Sequence, residues 1–214
     1  MKNKIQLIIV ITLITLGCSQ EKETTIKNEL LKSWSISDST NVNLFDFATI
    51  SQFDDYQYQN QYLFDSIQVI LPIEGHGIEL IPEGNKLKND LLCIIPLPEE
   101  RIIRFQFSES GDELIYDDKR IEPEESKNIL ITRLKRAEKP NHQIISLVFE
   151  DSINQKFVHQ SIKWINDGYV TFVTGGLSPD STINEFNDLD QTVKENLDKY
   201  RLIYGIGRAV DKNF

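Results

Sequence analysis

Cysteine is scarce in this chain, with two in 214 residues, which excludes a disulfide-dense scaffold. Histidine is nearly as rare, at three, and no Cys or His falls at paired ligand spacing. Zinc sites of the four-Cys or Cys2His2 type are therefore excluded, and no metal or cofactor is expected. Positive charge is in the minority: 23 Lys and Arg stand against 33 Asp and Glu, for a net charge of −10. A chain with that balance is a poor nucleic-acid binder, because affinity for phosphate backbones comes from cations displacing counterions. A glycine-rich phosphate loop is also missing. Gly205-Ile206-Gly207 reads as a tail that neither follows a strand nor opens a helix. What is present is a globular composition, 40% hydrophobic and 26% charged, on the scale of one domain with a short appendage.

The first twenty residues address the chain to a membrane. Lys2 and Lys4 precede an apolar run over residues 5–16, and Gly17-Cys18-Ser19 follows. Twelve residues rise about 18 Å as a helix, against a bilayer core of roughly 30 Å, so the run has the size of a signal-peptide core, not of a span. Thr15-Leu16-Gly17-Cys18 resembles the lipobox of bacterial lipoproteins, with Thr15 departing from the usual Leu. The resemblance implies cleavage after residue 17 and lipidation of Cys18. Cleavage removes two lysines and no acid, taking the charge from −10 to −12. Several acyl chains, at about 0.8 kcal/mol per buried methylene, make a stable anchor.

Residues 18–43 read as a polar tether, interrupted by the small apolar cluster Leu30, Leu31, Trp34 and Ile36. Residues 44–100 form a strand-rich region. Its opening, 44–66, is dense in rings (Phe45, Phe47, Phe53, Tyr56, Tyr58, Tyr62, Phe64), which read first as core and second as a binding surface. Tyr56-Gln57-Tyr58 alternates as a strand would. Strands are expected at 67–71, ended by Pro72, and at 78–81, and 91–97 is a further apolar stretch holding a buried Cys93. His76, between two glycines, reads as a loop residue.

From residue 101 the pattern is more regular. Ile102–Phe107 alternates, and Glu113–Tyr116 follows a turn at Gly111, giving a hairpin. Pro123 opens a helix with the stripe Leu130, Leu134, Ala137 and cations toward its end. Ile144–Phe149 is a near-continuous apolar run, as in a strand covered on both faces. Asp151 or Ser152 is expected to cap a helix stopped by Asp167-Gly168. Tyr169–Val173 then reads as a strand parallel to the first. A last helix is expected over 183–203.

The order hairpin, helix, strand, helix, strand over 101–174 resembles the periplasmic domain of the ExbD/TolR family. The matching stretches are Ile102–Phe107, Gly111 to Asp118, Pro123–Ala137, Ile144–Asp151, Phe157–Gly168 and Tyr169–Thr174. The resemblance implies an α+β fold: a mixed sheet with helices on one face in a ββαβαβ core over 101–214, plus a C-terminal helix. It also implies a domain able to form homodimers. The acidic transmembrane helix of that family has no counterpart in residues 5–16.

The function expected is that of a lipid-anchored, non-catalytic protein of the cell envelope, facing the periplasm or the cell surface. Its partners would be the membrane, through the lipid on Cys18, and a protein or cell-wall component, without nucleic acid. Two alternatives stand beside it. One is an envelope hydrolase using paired carboxylates, for which Asp54-Asp55, Asp117-Asp118 and Glu99-Glu100 are the candidates, with His142 and His159 lacking a placeable nucleophile. Neighbouring residues on a strand point to opposite faces, so such pairs rarely converge. The other is an acidic inhibitor or immunity protein that binds a basic partner.

Overall fold

The structure, a computed structural model, describes residues 24–36, 41–60, 68–82, 99–139, 143–182, 195 and 203–209. The signal segment with Cys18, the stretch 91–97 with Cys93, the rings Tyr62 and Phe64, His142 and nearly all of the helix expected over 183–203 lie outside those residues.

Among the described residues eight strands form one mixed sheet: β1 (Val42–Asn43), β2 (Val69–Ile73), β3 (His76–Pro82), β4 (Ile102–Phe107), β5 (Leu114–Tyr116), β6 (Lys119–Ile121), β7 (Ile144–Phe149) and β8 (Tyr204–Arg208). Their order across the sheet is β1-β2-β3-β8-β7-β4-β5-β6. Among the described residues four α-helices of full range accompany them: α1 (Ile26–Trp34), α2 (Ile50–Gln59), α3 (Glu125–Arg136) and α4 (Gln155–Val173). The fold is thus α+β, and strands from 44–100 and from 101–214 share the one sheet.

The hairpins follow from turn chemistry. Glu74-Gly75 and Asp117-Asp118 both occupy positive φ (48° and 85°, 52° and 58°), the backbone that two-residue hairpin turns require. They join β2 to β3 and β5 to β6. Pro72 does not end β2, which runs on to Ile73. β1 pairs only with Val69 and Ile70, so Pro72 lies beyond the reach of β1, where a missing N–H breaks no ladder bond to it.

The core strands β4, β7 and β8 run parallel to one another. Ile103, Phe105 and Phe107 of β4 are buried. In β7 Ile145 through Phe149 are all buried, as a strand covered on both faces must be. Tyr204 and Ile206 pair in register with Ile145 and Leu147, while Gly205 and Gly207 lie beside Ser146 and Val148. The segment read as a glycine-containing tail is therefore a central strand.

Three further expectations are corrected. Tyr169–Val173 is not a strand but the last part of the 19-residue helix α4, and the parallel partners of β7 are β4 and β8. Asp167-Gly168 does not stop that helix. A Cβ on Gly168 would meet the Lys127 carbonyl oxygen at 2.8 Å, so glycine here permits α3 to pack closely on α4. The buried positions Val158, Ile162, Ile165, Tyr169 and Val173 keep helical spacing straight through the expected boundary. The cap of α4 is Asn154, whose side chain accepts from the Phe157 N–H at 3.2 Å. Asp151 and Ser152 instead tie to α2 and its N-cap.

Second, Tyr56-Gln57-Tyr58 belongs to α2, capped by Thr49, with Ile50 and Phe53 turned into the core. Third, the segment read as tether contains α1, whose Ile26, Leu30, Leu31 and Trp34 are buried in the same core as the sheet. Ile26 is 0% exposed. α1 packs on β3 and α4, and the Trp34 ring meets Tyr169 edge-on at 5.5 Å. An apolar stripe at i, i+4, i+5 and i+8 buries too much surface to remain in a solvated tether.

Candidate functional site

Because β4, β7 and β8 are parallel, the sheet has an amino end and a carboxyl end, and each carries a cleft. At the amino end, a 3-10 turn, Glu99–Arg101, leads into β4. There α3 finishes with Arg133, Lys135 and Arg136, cations where the helix dipole favours them. Arg133 spans the gap between the two, its Nη2 donating to the Ile102 carbonyl at 3.0 Å. Between them lies a cleft of about 610 Å³. Four cations line it, Arg101, Arg133, Arg136 and Lys139, against the carboxylates Glu100 and Glu138. In a chain of charge −10 this is a local reversal of sign.

Gln143, one residue before β7, also lines this cleft. It is 9% exposed, and its Oε1 is buried without a hydrogen-bond partner. A buried acceptor left unpaired costs about 1–3 kcal/mol, so such groups usually have a partner. A second cleft of about 410 Å³ shares Glu100 and Arg133 and extends over Arg104 to Asp117 and Asp118.

At the carboxyl end, a cleft of about 610 Å³ is lined by Glu109, Glu113, Glu150 and Asp151 with Ser108 and Ser152. It is open and acidic. Glu150 accepts from the Gln106 amide at 2.5 Å, and Glu113 pairs with Arg120.

A buried polar cluster ties α1, the β2–β3 turn and α4 together. Lys27, 5% exposed, places its Nζ 3.0 Å from Glu74 Oε1 and 3.3 Å from Asp167 Oδ1. The contact to Asp167 is an ion pair by distance but lacks hydrogen-bond geometry, so that oxygen is otherwise unpartnered. Burial pulls the Lys27 ammonium down, but Glu74 and Asp167 together outweigh it and hold its pKa above the ordinary value. Beside this cluster the Tyr204 hydroxyl donates to Asn166 Oδ1 at 2.6 Å. Burial pushes that hydroxyl well above its ordinary range.

The residues singled out from sequence are dispersed. Asp117 and Asp118 form a turn at the rim of the smaller cleft, and Glu100 lines both amino-end clefts. Asp54 is partly buried on α2 while Asp55 is exposed. Burial raises the Asp54 pKa against the pull of Arg208, and Asp54 lines none of the three clefts. His76 is the first residue of β3, opposite Ile73. His159 stacks on Phe45 at 4.9 Å. Among the described residues no group of His, Cys, Asp or Glu is placed to hold a metal, and no helix is long and apolar enough to cross a membrane.

The rings of 44–66 divide. Phe53 is core, and Phe47 contacts both Phe53 and Tyr56. Tyr58 is 75% exposed, and with Ile81 it makes the two exposed large apolar side chains among the described residues. Sequence reasoning missed Lys27 and Gln143. A signal for Lys27 was there: it stands four residues before Leu31 on the apolar stripe of α1, where a lysine needs a buried anion. Gln143 carries no such mark. The chain matches no family model, no curated protein and no solved structure.

Proposed function

We propose that this chain is a lipid-anchored, non-catalytic protein of the cell envelope that binds a protein or cell-wall partner. The observation that carries the reading is how closely the lipobox-like Thr15-Leu16-Gly17-Cys18 precedes the core. Fully buried Ile26 follows Cys18 by eight residues, so the folded body sits directly behind its anchor. The ExbD/TolR likeness supports an envelope docking role in altered form. The described order there is three strands (β4, β5, β6), helix, strand, helix, and then β8, so the likeness carries an extra strand β6 and a later last strand. A second reading, a binder of a basic protein, is favoured by the acidic cleft at Glu109, Glu113, Glu150 and Asp151.

The test is intact mass and membrane fractionation of the protein from its own cells, beside Cys18→Ala. The expected wild type lacks residues 1–17, carries acyl mass and sediments with membranes, and the variant loses the acyl mass. A wild type that retains residues 1–17 without acyl mass overturns the reading.

A further inference from the structure

The amino end of the sheet is also the end at which the chain leaves for Cys18. Ile26 and Lys27 donate to the carbonyls of Ser181 and Pro179, and Thr25 bridges Thr182. That loop follows α4. The helix starts just beyond the carboxyl end of β7 and runs 19 residues back along the sheet, about 28 Å, so its far end reaches the amino end of the strands. The basic cleft lies at the same end, since Arg133 is bonded to the first residue of β4 and Gln143 immediately precedes β7. From β3, on which α1 packs, to β4 is three strand spacings, about 14 Å. The eight residues from Cys18 to Ile26 reach at most about 28 Å. A lipid on Cys18 therefore holds this end close to the bilayer surface.

We propose that the amino end of the sheet rests on the membrane and that the cleft of Arg101, Arg133, Arg136 and Lys139 takes the headgroup of an anionic phospholipid. The inference rests on the lipid-anchor reading above. The cations supply the charge for a phosphate diester. Phosphatidylglycerol, whose headgroup is an anionic phosphate diester, is the probe for this charge. Arg136 and Lys139 form no ion pair with any described acid, which leaves both available to a ligand. The anchor then holds the chain at the membrane, and the basic cleft fixes which end of the sheet faces it.

The experiment is amine acylation of the full, membrane-purified chain in vesicles, read residue by residue by mass spectrometry. Lys139 reports on the amino end and Lys156, at the start of α4, on the opposite end. In vesicles containing phosphatidylglycerol, Lys139 is expected to react at least threefold more slowly than in phosphatidylcholine alone, with Lys156 unchanged. Arg136→Gln is expected to weaken binding of the headgroup roughly fivefold, the worth of one cation near an anionic surface, and so to return the Lys139 rate toward its value in phosphatidylcholine. Equal Lys139 rates in the two vesicle types overturn the headgroup site, even if both are slow. Equal protection of Lys139 by inorganic phosphate in detergent assigns the cleft to a free anion and overturns the lipid assignment. If intact mass shows no acyl group yet Lys139 is still shielded only by phosphatidylglycerol, the anchor reading fails and the site stands.

Discussion

Beneath the acidic cleft, the carboxyl end of β4 and β7 is held by rings and backbone. Phe107 stacks on Phe149 at 4.7 Å, and Phe157 meets Phe107 edge-on. Main-chain bonds stitch the loops beyond: Glu150 to Phe107, Ser152 to Glu109, Ile50 to Asp151 and Ile153 to Ala48. A Cβ on Gly111, which sits at φ 71°, would meet the Ser152 carbonyl oxygen at 2.7 Å, so even the hairpin turn is pressed into that seam. The amino end is built from long charged side chains and carries buried polar atoms without hydrogen-bond partners, at Gln143, Asn166 and Asp167, the last ion-paired with Lys27. Main-chain bonds at the carboxyl end satisfy the loops' own polar groups beneath an acidic cleft. At the amino end Arg136 and Lys139 form no ion pair with any described acid, and that difference is why the amino end is the candidate surface for an anion.

The comparison can be broken by substitution. Phe149→Ala opens a cavity at the ring cluster and is expected to cost about 3–5 kcal/mol in chemical denaturation, while leaving the lysine-acylation pattern of the folded chain unchanged. Lys27→Ala strands Asp167 at the amino end and should cost about 3 kcal/mol. Pairing Lys27→Met with Asp167→Leu should recover most of that loss, because removing both charges leaves none buried alone. A double variant no more stable than Lys27→Ala would show that the ion pair is not what joins α1 to α4.

Tyr204→Phe leaves Asn166 without its donor and is expected to cost about 1–3 kcal/mol at neutral pH. The wild-type hydroxyl, raised by burial from an ordinary 10.0, keeps its proton in the fold after the unfolded chain has lost its own. Its contribution is therefore complete below about pH 10 and is lost as pH rises further, so the gap between wild type and Tyr204→Phe should narrow in alkaline urea titrations. Lys27, raised above 10.5, has the same sign and adds to the wild type's alkaline loss. At the carboxyl end, Asn154→Ala removes the cap of α4 and should cost about 1 kcal/mol. Arg136→Gln should change the melting temperature least of all, since it alters ligand demand and no packing.

Much of this was legible in the chain. The alternation of Ile102–Phe107, the continuous run Ile144–Phe149 and the Pro123 helix start are local patterns, and each element forms where its period says. The errors share a cause. Tyr169–Val173 has strand composition but continues a buried helical face, and Asp167-Gly168 resembles a helix stop only until α3 is placed against it. Gly205 and Gly207 look like a tail until Ser146 and Val148 are seen beside them. Gln143 became a candidate only once β7 and the end of α3 enclosed it.

By itself the sequence determined the α+β class, the central strands β4 and β7, the acidic balance and the resemblance at Cys18 to a lipidation site. These depend on residue type and short-range period, which a chain carries wherever it goes. The tertiary structure alone decided that α1 is core, that β8 lies between β3 and β7, and that four cations of an acidic chain meet at the end where the chain turns toward Cys18. Those outcomes depend on which distant segments cover one another, and no local pattern encodes a neighbour a hundred residues away.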